Sequence, residues 1–229
     1  FDYDNNRNYR FVIQDGKSLK MLDSKLNTVK GFKRNKLNSD IKFPIKHLRI
    51  FNKDYLLLVT KNNKPLILDR RGNIRIKLPE NFTTSTNHFY ENDGGIITIN
   101  DLNQLVRIEL NGKISSKQLP DQKNIIHSNK NNLIVLSNGN ITINNTDYKI
   151  PFGDFDDLNI KGSKNNTYFH FRDVNEKKSY LFNSNGIISG FPIYSTSNFE
   201  FSFDKNQDFV TFKGDAVSYT HLTLPTNGC

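Results

Sequence analysis

Residues 53–79 read KDYLLLVT, KNNKPLILD, RRGNIRIKLP: an apolar run, a polar turn, a second apolar run, a turn holding Arg71-Gly72, and a third alternating run. Such runs, rich in β-branched and aliphatic residues and punctuated by turn formers, are antiparallel strands in succession. The same order returns in residues 94–120, GGIITIN, DLNQLVRIEL, NGKISSKQLP, and in residues 166–193, NTYFHFRD, VNEKKSYLF, NSNGIISGFPI. Residues 9–32 match it as well.

The strongest runs are YRFVIQ from 9, YLLLVT from 55, GIITIN from 95, NLIVLS from 132, YFHFRD from 168 and DFVTFK from 208. Their starts are separated by 46, 40, 37, 36 and 40 residues, which is a period. A further strand precedes most of them (IKHLRIF, NHFYE, NIIHS, LNIKG, FEFSF), so each unit holds four. A four-stranded antiparallel unit of about forty residues, repeated, is the signature of a β-propeller blade. The expected fold is therefore all-β, a β-propeller of about five blades plus a partial one. The central runs are continuously apolar, as when neighbouring blades cover both faces. A sandwich would give similar local spacing, and the long-range recurrence speaks against it; a solenoid would need shorter coils. Asn111-Gly112, Asn138-Gly139 and Asn185-Gly186, with Arg71-Gly72 and Asp15-Gly16, are expected to supply the positive φ of two-residue hairpins.

Composition agrees. Alanine occurs once among 229 residues and asparagine 33 times, which excludes a helical protein. No apolar run is long enough for a membrane-spanning helix, and no secretion signal opens the chain. Residue 1 is Phe, so the chain is expected to be a fragment. An open ring of blades would leave strand edges unpaired, from which poor solubility is expected.

The last fourteen residues, AVSYTHLTLPTNGC, hold the only Ala and the only Cys and break the repeat. They resemble a translated sequencing-adapter read-through. The expected organisation is a single propeller domain over 1–215 with 216–229 a non-native or disordered tail. Residues 1–80 carry 19 Lys/Arg against 8 Asp/Glu, and the remainder 13 against 15. Only Lys33, Arg34 and Lys36 cluster, so the charge reads as solvated faces before it reads as a nucleic-acid surface.

The phrases DGKSLKMLDSKLNTVKGF (15–32), LILDRRGN (66–73) and SYLFNSNGIISGFPIY (179–194) resemble the C-terminal region of a group of bacterial cell-envelope proteins of unassigned activity. The resemblance implies a propeller-like repeat region and a periplasmic or envelope location. Some proteins of that group carry the label ribonuclease HII. This chain does not support the label: such ribonucleases resemble a mixed α/β fold opening on Gly-x-Asp-Glu, and no Asp-Glu dipeptide occurs here.

Chemistry-bearing residues are few. Asp204, Asn206 and Asp208 in FDKNQDF alternate oxygen side chains as a calcium loop does, although Phe209 stands where glycine should follow. A polar turn is the simpler reading, and no other cofactor is expected. Asp154, Asp156 and Asp157 form one acidic knot, read as an inter-blade loop rather than a carboxylate pair for acid–base work. His47, His88 and His127 recur at 41 and 39 residues and could meet at a metal only if they lined a shared channel. His170, inside YFHFRD, reads as a packed histidine; Gly94-Gly95 reads as a turn.

The function expected is a non-catalytic propeller binding or scaffold module of an envelope-associated protein, monomeric or part of a longer chain, contacting protein or glycan through loops. A polysaccharide hydrolase or lyase with a channel-mouth site is the alternative, and nucleic-acid binding a weaker one.

Overall fold

Among the described residues every regular element is a strand, and the strands pair into antiparallel sheets, almost all in chain order. The computed structural model describes residues 2, 7–32, 37–120, 123–162, 167–196, 200–201, 209–213 and 216–220. The chain divides into two compact units, Phe1–Pro120 and Asp121–Cys229.

In the first unit, β1 (Phe11–Asp15) pairs with β2 (Ser18–Leu22). The third strand expected in this block shrinks to one bridge, Leu22 to Thr28. A four-stranded sheet follows, of β3 (Lys46–Ile50), β4 (Lys53–Val59), β5 (Pro65–Leu68) and β6 (Ile74–Ile76). A second comprises β7 (Tyr90–Asn92), β8 (Gly95–Ile99), β9 (Gln104–Ile108) and β10 (Ile114–Gln118).

In the second unit, β11 (Asn124–Asn129), β12 (Asn132–Ser137), β13 (Asn140–Ile143) and β14 (Thr146–Lys149) form one sheet. The next holds β15 (Phe155–Gly162), β16 (Thr167–Asp173), β17 (Lys178–Asn183) and β18 (Gly186–Ile187), with β19 (Ile193–Tyr194) also on β17. β20 (Glu200–Phe201), β21 (Phe209–Lys213) and β22 (Ala216–Thr220) form the last sheet. β22 uses the first five residues of the anomalous tail; 221–229 lie outside the described residues. The architecture is all-β, of propeller-type antiparallel blades.

The run YLLLVT explains itself once its two faces are separated. Tyr55, Leu57 and Val59 point into a cluster with Ile96, Val106 and Ile108 of the next sheet. Leu56 and Leu58 point the other way, against Leu19 of β2 and Leu37. With both faces covered there is no polar position to alternate with. Each fully buried leucine contributes about 2 kcal/mol of transfer free energy. In the second unit Phe169 and Phe171 of β16 pack with Ile134 and Leu136 of β12, and Tyr168 packs on the opposite face with Leu181, Ile188 and Phe191.

Among the described residues of the first unit one turn recurs five times, and at Arg71-Gly72 and Asn111-Gly112 it differs from the two-residue hairpin expected. In each of Asp23–Asn27, Thr60–Lys64, Asp69–Asn73, Asn100–Gln104 and Glu109–Lys113, the first N–H donates to the fifth carbonyl and the fourth N–H to the first carbonyl. The fourth residue has positive φ: Leu26, Asn63, Gly72, Asn103 and Gly112. This is a three-residue loop with one left-handed position, so Gly72 and Gly112 act here alone, without a left-handed partner. Where the first residue is Asp23, Thr60, Asp69 or Asn100, its side-chain oxygen accepts the fifth residue's N–H, at 2.8, 3.1, 2.9 and 2.9 Å. At Asp23 those backbone donors outweigh desolvation and hold the carboxyl below its ordinary pKa. Two-residue turns with positive φ at both positions occur at Phe51-Asn52, Asp93-Gly94 and Asn144-Asn145, and the expected Asn138-Gly139, between the paired Ser137 and Asn140, is a two-residue turn with positive φ at its glycine.

Leu26 is the misfit of the series. It is 71% exposed and sits at φ 65, a left-handed conformation that glycine and asparagine tolerate and most other side chains, leucine among them, do not. Leu26→Asn should raise stability by about 1 kcal/mol in urea unfolding; a loss would mean that the leucine makes contacts that offset its strain.

Candidate functional site

The second unit contains a cavity of about 430 Å³ at the strand ends where β12 stops, β15 starts and the β16–β17 turn lies. Sequence order explains the location. The segment Pro151–Asp154 carries the chain from the outer strand β14 to the start of β15, so it must cross the end of the sheets. Phe152, Gly153 and Asp154 on it form one wall; Lys123 and Ile125 form another, with Asn138 and Asn175 from the two turns.

Polar groups on this wall are tied together. Lys123 Nζ pairs with Asp154 Oδ1 at 2.9 Å, and the Gly153 N–H donates to Asn138 Oδ1 at 2.9 Å. Val174 N–H donates to the Asp154 carbonyl at 2.9 Å, which fixes the crossing segment to the turn. Phe152 is 79% exposed at the rim, its ring edge against Gly139.

Behind Gly153 lies Asp173, the last residue of β16, only 1% exposed. Its Oδ1 accepts the N–H groups of Asn175 and Glu176 at 3.0 and 3.1 Å, which shapes the β16–β17 turn. Its Oδ2 is buried and has no hydrogen-bond partner. That oxygen presses on the bare α-carbon of Gly153: a Cβ there would stand 2.1 Å from it. A buried carboxylate oxygen without a donor is costly, and native structures keep few.

The residues singled out in the sequence are dispersed. Asp204, Asn206 and Asp208 lie outside the described residues, as do Lys33, Arg34 and Lys36. The acidic knot is split, which corrects its reading as one loop. Asp154 is on the crossing segment, whereas Asp156 is already in β15 and pairs with Arg172 at 2.9 Å; the Asp157 side chain is outside the described set. The strand begins earlier than LNIKG because Phe155 and Asp156 pair with Asp173 and Arg172 before a register shift.

The three spaced histidines do not gather; among the described residues no group of three His, Cys, Asp or Glu could hold a metal. His47 Nε2 meets the buried Asp54 Oδ1 at 2.8 Å, where Arg49 Nε also donates at 3.0 Å. His88 lies just before β7, its pKa lowered by burial and then by the charge of Lys46. Lys46 itself stands over the Tyr90 ring at 4.0 Å, and burial lowers its pKa while raising that of Tyr90. His127 lies in β11 opposite Ile134. At Gly94-Gly95 the turn proper is Asp93-Gly94, clamped by Arg107, which donates to the carbonyls of Asn92 and Asp93 at 2.9 and 2.8 Å.

His170 is 2% exposed, and burial, then the charge of Arg172, push its pKa down to about 4. The unfolded imidazole takes its proton near pH 6.5 and the folded one only near 4. Stability is therefore fully present above pH 6.5, falls through the window from 6.5 to 4, and levels below it. Between pH 7.5 and 4.5 the unfolding free energy should drop by about 2 kcal/mol from this group. Urea unfolding of His170→Phe should lack that component, and an unchanged slope would remove the assignment.

No protein family and no curated protein matches the sequence. Among solved structures, the chain is similar to BBS1N in complex with ARL6DN, with a TM-score of 0.59 and 14% identity over 96% of this chain and 76% of that one. It is similar to BamB from Moraxella catarrhalis, with a TM-score of 0.52 and 13% identity over 91% and 70%. It is also similar to the computationally designed Ika8 protein, with a TM-score of 0.53 and 9% identity over 85% and 62%. At such identities the likeness is one of fold.

Proposed function

We propose that the chain is a non-catalytic binding module of an envelope-associated bacterial protein, and that it contacts a protein ligand at the loop end of the second unit. The carrying observation is the cavity beside Phe152. A rigid pair of sheets places an exposed aromatic ring, two side-chain amides and a charged pair around one concave surface, which is how binding sites are composed. Lys123 and Asp154 already satisfy each other, so the wall offers recognition chemistry and no poised acid and base. A protein partner is in keeping with BBS1N, which was crystallised in complex with ARL6DN. The envelope location rests on the resemblance of residues 15–32, 66–73 and 179–194. Among the described residues no helix is long and apolar enough to cross a membrane.

A photoreactive phenylalanine analogue placed at Phe152, and separately at Asn145 in the β13–β14 turn, tests this in cells of the source organism. Cross-linking to protein from position 152, and not from 145, is the expected result. Equal yields from both positions, or a cross-link to glycan, would overturn it.

A further inference from the structure

We infer that the outer edge of β1, in the first unit, takes up an extended segment of a partner protein as an added strand, one that alternates apolar residues and carries acidic ones. The inference goes beyond the cavity reading and does not depend on it. Its starting point is a place that the neighbouring sheets fill. Beside β4 and β8 lie β3 and β7, whereas β1 has β2 on one side and, on the other, a single bridge from Tyr9 to Asp2. The pairing of Asp15 with Ser18 closes a two-residue turn, so Asp15, Ile13 and Phe11 exchange their backbone hydrogen bonds with β2. The backbone N–H and C=O groups of Val12 and Gln14 then point away from β2, and among the described residues they have no partner. Such donors and acceptors along an edge pair with one kind of ligand, a backbone in the extended conformation.

Side chains narrow the ligand further. Tyr9, Phe11 and Ile13 alternate along β1 and are 55, 49 and 41% exposed. Val12, between them, packs on the other face with Leu19, Leu56 and Leu58. An added strand sets its own side chains directly beside Phe11 and Ile13, and cross-strand apolar pairs stabilise such an edge. The segment therefore needs apolar residues at alternate positions. Charge sets its flanks. Residues 7–32 hold six Lys and Arg against Asp15 and Asp23, and Asp2 brings the carboxylates to three. Asp40, which accepts from Gln14 Nε2, is matched by Lys61 at 3.0 Å and leaves the balance unchanged. Asp15 is engaged by Lys20, and Asp23 by the N–H groups of its own turn. The cationic excess favours an acidic segment and opposes the pairing of this edge with that of a second copy.

The test is titration of the purified chain with a short acetylated peptide in which valine and threonine alternate between pairs of glutamates, followed by amide NMR and hydrogen exchange. Saturable binding, with exchange at the Val12 and Gln14 N–H groups slowed at least about tenfold, is expected. Ile13→Lys and Phe11→Ser, both at exposed positions, should each weaken binding about tenfold. The peptide with lysine in place of glutamate should bind about tenfold more weakly at low salt. The peptide N-methylated along its centre keeps its side chains and loses its backbone donors, and should not bind. Equal affinity for the lysine peptide would overturn the acidic partner, equal affinity for the N-methylated one the added strand, and unchanged exchange at Val12 and Gln14 both. A concentration-dependent dimer in sedimentation that protects the same two N–H groups would also overturn the inference, since a second copy would then be the occupant. Cross-linking from Phe152 reads the second unit alone, so either reading can fail without the other.

Discussion

Phe171→Ala should lower the unfolding free energy by about 4 kcal/mol, measured by urea denaturation at neutral pH. Phe171 is fully buried at the middle of β16. Its ring stacks on Tyr180 with centroids 5.0 Å apart and an interplanar angle of 8°. It meets Phe155 edge-on at 5.3 Å and Phe182 at 5.7 Å. Truncation removes the transfer free energy of the ring, the geometric component of several aromatic pairs, and leaves a void that the paired strands β15, β16 and β17 cannot close. Phe171→Leu keeps most of the volume and should cost only about 1.5 kcal/mol. A loss below about 1 kcal/mol for the alanine variant would mean that the aromatic cluster is not the core of the second unit.

This strand was legible in advance, and the reason is physical. In TYFHFRD the residues facing one way (Phe169, Phe171) and those facing the other (Tyr168, His170) are all buried, so the whole segment had to be apolar or tightly packed. The same holds for YLLLVT. Turn positions were legible because glycine and asparagine are the residues that tolerate positive φ, but the turn type was not. Gly112 sits in a three-residue loop and Asp93-Gly94 in a two-residue one, and loop length follows from register, which depends on the partner strand.

The cavity was not legible at all. Lys123 and Asp154 are 31 residues apart, and Gly153 and Asp173 meet only because Phe155 pairs with Asp173 across β15 and β16. FGDFDDL stood out for its three carboxylates, whereas the residue that matters most beside Asp154 is the glycine between the phenylalanine and the first aspartate. No spacing rule marks a position whose requirement is the absence of a side chain against a carboxylate twenty residues on.

That requirement predicts the second large effect. Gly153→Ala should destabilise the second unit by about 3 kcal/mol. The added Cβ would lie 2.1 Å from Asp173 Oδ2, 2.9 Å from its Cγ and 3.1 Å from Phe155 Cε1. Gly153 is not among the positive-φ glycines, so backbone strain plays no part and the cost is contact alone. Neither neighbour can retreat cheaply. Asp173 is held by the N–H groups of Asn175 and Glu176, and Phe155 abuts the stacked rings of Phe171 and Tyr180 edge-on. If the clash is with the carboxylate, removing it must help: Asp173→Ala alone loses the turn contacts, yet Gly153→Ala combined with Asp173→Ala should be less destabilised than the sum of the two by at least 1 kcal/mol. Simple additivity in that double-mutant cycle would show that the alanine is accommodated by a shift of the crossing segment, and that the glycine is not required by the carboxylate.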